Sequence, residues 1–182
     1  TPLLSSKDSH ERSNVITALG KMGPQAAPAL EKALDDEDWR LRMDAIRALG
    51  TMGPSALQAL ERALEDEDWR NRGDAIAALG NIGSEATEAL KKALADSVWS
   101  HREAAVRFLG RVSPSSVPAI KKMLGDDHFA VRVAAALALG RIGAKARSAM
   151  LELEVALEDE REEVREAAAE ALTKIRGSAP DP

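Results

Sequence analysis

Cysteine and tyrosine are both absent from this chain, and Phe and Trp together number only five among its 182 residues. Without cysteine there is no disulfide framework, no thiolate metal site and no cysteine nucleophile. So few aromatics exclude a sandwich filled by rings and β-branched residues. No apolar run approaches the roughly 20 residues that a membrane-spanning helix requires, and no signal peptide is visible. The expectation is therefore a cytoplasmic protein with no membrane partner. A formal net charge of −5 and a pI of about 5.3 argue against broad binding to nucleic acid or anionic lipid. What is plentiful is small: alanine alone accounts for 34 residues, within a chain that is 45% hydrophobic and 30% charged. That composition buries a core of closely approaching helices, and the length fits one domain or one continuous array.

The chain repeats every thirty residues. Leu-Gly pairs fall at Leu19-Gly20, Leu49-Gly50, Leu79-Gly80, Leu109-Gly110 and Leu139-Gly140. A second glycine follows three residues later at Gly23, Gly53, Gly83 and Gly143, with Ser113 in the remaining copy. Asp36, Asp66, Asp96 and Asp126 keep the same step, as do Arg12, Arg42, Arg72, Arg102 and Arg132, while Asp159 and Arg165 are displaced by three. The displacement predicts a last first-helix, near Lys145 to Glu158, longer by about one turn.

Each unit reads as two helices. Ala26, Ala27, Leu30, Ala33 and Leu34 form a helical stripe opened by Pro24, which is tolerated in a first turn. The acidic run Asp35 to Asp38 ends that helix and supplies caps to the next, whose apolar face is Leu41, Ala45, Ile46, Leu49 and Met52. The glycines read as helix terminators, and no segment alternates with the period of a strand. Each repeated Asp is expected to cap a helix, and each repeated Arg to bridge to its own or the neighbouring unit's acidic turn. The alternative use of these arginines is to bind an anionic ligand.

The pattern Ala-Leu-x-x-Ala-Leu-x-Asp, then Arg, Ala and Ala-Leu-Gly-x-x-Gly, resembles the short HEAT-like repeats first associated with phycobilisome lyases. The resemblance runs from about Ser5 to Arg176 and recurs about six times, and it implies an all-α superhelix, or solenoid, of two-helix repeats. The position before the repeated Arg is usually Val in that family. It is Val131 and Val164 here but Glu11, Leu41, Asn71 and His101 elsewhere, which predicts shallower burial in the early and middle units. Leu3 and Leu4 align with Ala33 and Leu34, so the first unit is truncated. An opening without Met, in mid-repeat, predicts a piece of something longer. The expected organisation is a single array over 1–176, closed by a glutamate-rich capping repeat at 144–176, then a flexible tail at 177–182.

Second helices of such stacks usually line a concave wall, and their leftover positions can be read down the repeats. One column is Trp39, Trp69, Trp99 and Phe129, four of the chain's five aromatics. Beside it run Arg40, Arg70, Ser100 and Ala130, then Asp44, Asp74, Ala104 and Ala134, then Arg47, Ala77, Arg107 and Leu137. Arg111 and Arg141 lie in a further column and, with Arg107, make a basic spot. Helix spacing of about 8–10 Å keeps the rings from stacking on one another. They serve either as separate anchors for an extended ligand or as packing that seals the turns. Arg40 with Asp44 and Arg70 with Asp74 are spaced as i,i+4 ion pairs.

Catalytic constellations are scarce. The histidines are His10, His101 and His128. His10-Glu11 resembles one of the His-Glu pairs of HEAT-like deoxyhypusine hydroxylases, whose di-iron site needs several. No metal, cofactor or catalytic residue is assigned. Three functions stay open: a non-enzymatic scaffold binding protein or peptide through Trp39, Trp69, Trp99, Phe129 and the flanking Arg and Asp residues; a bilin-lyase-like enzyme subunit, implied by the family resemblance; and a DNA-binding protein like the HEAT-like alkylpurine glycosylases, which the acidic balance disfavours. Oligomeric state cannot be read from the chain.

Overall fold

The computed structural model describes Leu4 and residues 6–177. Of the tail expected at 177–182 only Gly177 is described, as the last residue of α11, and the rest of it, with the alignment of Leu3, lies outside the described residues. Within them there is no strand. The α-helices run α1 (Ser9–Met22), α2 (Ala27–Ala33), α3 (Trp39–Gly50), α4 (Leu57–Ala63), α5 (Trp69–Ile82), α6 (Thr87–Lys92), α7 (Trp99–Val112), α8 (Val117–Lys122), α9 (Phe129–Ile142), α10 (Met150–Ala156) and α11 (Glu162–Gly177). Short first helices alternate with longer second helices, so α2/α3 to α10/α11 are the hairpins and α1 corresponds to a second helix. The chain forms two compact units, Thr1–Ala89 and Leu90–Pro182, dividing within α6.

Local chemistry starts and stops most of the long helices. Asp8, Asp38 and Asp68 stand at the N-caps of α1, α3 and α5, where their side chains accept from the backbone N–H two residues on. This corrects the expectation for Asp36, Asp66, Asp96 and Asp126. Those carboxylates cap the turn before the helix, each Oδ1 accepting from the N–H of residue 38, 68, 98 or 128 at 2.8–2.9 Å. At the far end the second glycine of each pair takes the left-handed conformation, with φ of 81° at Gly23, 64° at Gly53, 95° at Gly83 and 69° at Gly143. L side chains avoid that region, hence the glycines. Ser113 fits the same place with an extended backbone, φ −154°.

The first glycine of each pair has a different purpose, and here the reading of all glycines as terminators fails. Gly20, Gly110 and Gly140 lie inside their helices and Gly50 is the last residue of its own, each where the next long helix comes closest. A methyl group at Gly50 would lie 2.9 Å from Ala78 Cβ, and one at Gly110 would lie 2.6 Å from Ala138 Cβ. Glycine against alanine is what lets second helices pack almost backbone to backbone, which explains the abundance of alanine. The larger side chains Leu30, Ile46, Leu49, Leu60, Ile76 and Leu79 fill the first unit's core, and Leu90, Leu109, Ile120, Leu139 and Leu153 the second's. Full burial of each stabilises the fold by about 2 kcal/mol.

The repeated arginines connect one hairpin to the next. Arg42 donates Nε and Nη2 to both carboxylate oxygens of Asp66, at 2.8 and 3.0 Å, while Nη1 donates to the backbone carbonyl of Asp36 at 2.9 Å. Arg12 with Asp36, Arg102 with Asp126 and Arg132 with Asp159 repeat the fork at 2.7–2.8 Å through Nε. Each guanidinium therefore holds its own turn by the carbonyl and the following unit's turn by the carboxylate. Arg12, Arg42 and Arg132 are buried, a geometry in which two planar groups match bidentately.

Two expectations are corrected by packing. Asn71 and His101 are as buried as the apolar residues that share their position, at 0% and 6% exposure. Asn71 Nδ2 donates to Asp66 Oδ2 at 3.1 Å and to the Trp39 carbonyl at 3.2 Å, and His101 Nδ1 lies 3.2 Å from Asp96 Oδ1. The acidic turn supplies each polar side chain with a neighbour, so burial does not require Val. Glu11, at the same position of α1, is exposed. In the last hairpin α10 keeps seven residues like α2 and α4, and the additional residues enter the 3-10 turn Gly143–Ala149 instead. A tighter turn absorbs the insertion without moving α10 out of register.

Candidate functional site

The aromatic column opens the long helices: Trp39, Trp69, Trp99 and Phe129 are the first residues of α3, α5, α7 and α9. None is in the core. Trp69 is 50% exposed and Trp99 44%, with Trp39 and Phe129 half-buried. Within each unit a cation or an imidazole lies against the rings. In the first unit the Arg70 guanidinium sits 4.9 Å from the Trp39 ring centre and 5.0 Å from that of Trp69, and Arg40 covers Trp39 at 4.9 Å. In the second unit His128 stacks on Trp99 at 3.9 Å, nearly parallel, and lies 5.1 Å from Phe129, which Arg161 covers at 4.2 Å. Each exposed cation–π contact contributes about 0.5–1 kcal/mol. Its larger effect is to fix the ring's orientation at the surface.

The expected i,i+4 pairs do not form. Asp74 is taken by Arg47 of the preceding long helix at 2.8 Å, and Arg70 turns to Asp68 at 3.2 Å while stacking on the indoles. Arg40 extends over Trp39 rather than toward Asp44. Aromatic faces compete for the guanidinium planes, and exposed helical ion pairs are too weak to win them back.

In the second unit α7, α9 and α11 enclose a cleft of about 450 Å³. Phe129, Val133, Leu137 and Arg141, spaced by four on one face of α9, make its floor and one end. Arg107 and Glu103 of α7 line one side and Glu163 of α11 the other. Arg107 pairs with Glu103 at 3.4 Å and Glu163 with Arg161 at 2.8 Å. The bond from Arg161 holds the Glu163 carboxyl below the usual glutamate range. Arg111 and Arg141 are exposed and make no ion pair among the described residues.

The structure thus groups the sequence candidates into two sets. Trp39, Trp69, Arg40 and Arg70 form one cluster, with Arg47, Asp44 and Asp74 further along α3 and α5. Phe129, Arg107 and Arg141 meet at the cleft, near Trp99. Sequence reasoning missed His128 and Arg161, which clamp the rings, and Val133, which floors the cleft, and it gave no role to Leu137 beside it, although a column contained that residue. The column Arg47, Ala77, Arg107, Leu137 carries the signal for the last of these, since only α9 places a large aliphatic there.

Stacked helical hairpins joined by forward Arg–Asp forks and Gly–Ala contacts define an α-solenoid repeat protein. HEAT repeats match residues 1–80, 27–102 and 87–173, and the chain belongs to the HEAT-repeat family. No curated protein matches it in sequence. Among solved structures, the complex of CpcE and CpcF of phycocyanin lyase from Nostoc sp. PCC7120 is 27% identical, with a TM-score of 0.58 over 96% of this chain and 74% of that one. A designed armadillo repeat protein in complex with the peptide (KR)4 is 19% identical, with a TM-score of 0.61 over 96% and 97%. Human deoxyhypusine hydroxylase in complex with glycerol is 22% identical, with a TM-score of 0.57 over 96% and 82%. No described helix is long and apolar enough to cross a membrane.

Proposed function

We propose that the chain is a non-enzymatic scaffold that binds a protein or peptide through the faces of its long helices that carry Trp39, Trp69, Trp99 and Phe129. The observation that carries this reading is the exposure of Trp69 and Trp99, at 50% and 44%, on side chains already immobilised by arginine or histidine. A seam-packing tryptophan would be covered, whereas a held and exposed indole offers area at little entropic cost, which is how interface anchors work. The solenoid fold is also one on which a peptide is held in the designed armadillo protein. Replacing Trp39, Trp69 and Trp99 by Ala is expected to abolish quantitative cross-linking to partners in extract of the source organism while leaving the helical circular dichroism intact. Unfolding of the triple variant, or undiminished cross-linking, overturns the reading.

A second reading, an enzyme subunit of the bilin-lyase kind, is favoured by the likeness to the phycocyanin lyase complex. Incubation with apo-phycobiliprotein and bilin decides it: chromophore attachment or removal establishes the activity, and unchanged absorbance removes it.

A further inference from the structure

The cleft between α7 and α9 differs chemically from its surroundings in a way that the aromatic column alone does not explain. The stripe that begins with the aromatic and continues every fourth residue is Trp39, Met43 and Arg47 on α3, with Thr51 just past its end. It becomes Trp99, Glu103, Arg107 and Arg111 on α7. On α9 the stripe turns apolar, as Phe129, Val133 and Leu137, before ending in Arg141. Leu137 is 39% exposed, an aliphatic surface inside a cavity of about 450 Å³. That size falls in the range that receives compact ligands or one or two bulky side chains. Phe129 is held in place by His128 and Arg161, so the floor is formed in advance of binding.

The charges around that floor are unevenly paired. Both carboxylates lining the cleft already face arginines, Glu103 with Arg107 and Glu163 with Arg161. Arg141 at the end of the floor, and Arg111 one turn beyond Arg107 on α7, have no carboxylate of their own among the described residues. The charged residues lining the cleft balance in number, two arginines against two glutamates, but of these Arg141 alone makes no ion pair among the described residues, and it stands beside the apolar surface. A basic segment would be repelled there, and a neutral apolar one would leave the arginines unused.

We propose that this cleft receives a peptide segment carrying a bulky apolar side chain flanked by Asp or Glu, the side chain on Val133 and Leu137 and the carboxylate on Arg141. This rests on the scaffold reading and names its partner's chemistry. The test pans a random peptide phage library against the full chain, and in parallel against Leu137→Glu and Arg141→Glu, both surface changes whose folding is checked by circular dichroism. The expected consensus places Leu, Ile, Met or Phe next to an acidic residue. The synthetic consensus peptide should bind each variant about tenfold or more weakly, the scale of losing a charged or apolar anchor. A consensus without acid, an affinity indifferent to both variants, or displacement of the peptide by a phosphoserine peptide or duplex DNA overturns the inference while leaving a binding scaffold. Failure of the wild-type chain to enrich any peptide overturns both it and the scaffold reading.

Discussion

A single methyl group is the scale at which second-helix packing is decided. At Gly110 a Cβ would fall 2.6 Å from Ala138 Cβ and 3.1 Å from its Cα, so Gly110→Ala forces the helices apart. Overpacking of this kind costs about 1–3 kcal/mol, more than the roughly 1 kcal/mol that alanine contributes to helix propensity. A lowered urea midpoint is expected, partly restored by adding Ala138→Gly. Gly125 is the contrast: nothing lies within 4 Å of its missing Cβ and its φ is not left-handed. Gly125→Ala should raise stability by about 0.5–1 kcal/mol through the unfolded chain's entropy. Both glycines look alike in a sequence, which is why terminators and close contacts were read as one class. The distinction depends on which helix passes nearby, and that is a property of tertiary register. Asp66→Ala leaves the Arg42 guanidinium, whose side chain is 8% exposed, facing an emptied site, and the loss is expected to approach about 3 kcal/mol.

Helix starts provide the test at the next scale. Asp8, Asp38 and Asp68 accept a backbone N–H at the N-caps of α1, α3 and α5, and His128 does so for α9. Val98 at the start of α7 makes no side-chain cap. Val98→Asp should therefore stabilise the chain by about 1 kcal/mol, seen as a higher urea midpoint with an unchanged slope. The hairpins were legible because a thirty-residue period in Leu-Gly, Asp and Arg leaves little freedom in where helices begin and end. Less legible was what happens between neighbouring hairpins. That Arg42 reaches Asp66 and not its own Asp36 carboxylate, that Arg70 sits between two indoles, and that Asn71 is buried all depend on distances across units that no single unit contains. The candidate site followed the same division. Its aromatic column was visible from spacing, whereas the cleft needed α7, α9 and α11 to be placed side by side.

The acidic composition of the whole molecule becomes a pH dependence through the forks. Burial pushes the Asp66 and Asp126 carboxyls up, and the bonds from Arg42 and Arg102 with nearby backbone N–H groups outweigh it. Both sit below the ordinary aspartate range, as does Asp159 beside Arg132. A carboxyl with a lowered folded-state pKa binds its proton more weakly folded than unfolded. Its stabilisation is full above the unfolded value near about 4 and is lost as pH falls through the lowered folded value. Urea midpoints should therefore be flat from neutrality down to about pH 5 and drop below about pH 4. Arg42→Met should make that acid slope shallower, because Asp66 would then titrate closer to its unfolded value.

The forks also have a direction. Arg12, Arg42, Arg102 and Arg132 each grip an aspartate that comes later in the chain. Arg165 binds only the carbonyls of Asp159 and Glu160 and makes no ion pair among the described residues. Growth of such an array is therefore polar, like a row of couplings with the hook on one side. An engineered hairpin bearing the same acidic turn, joined downstream of α11, would meet a hook already cast, whereas one joined upstream of α1 would have to bring its own.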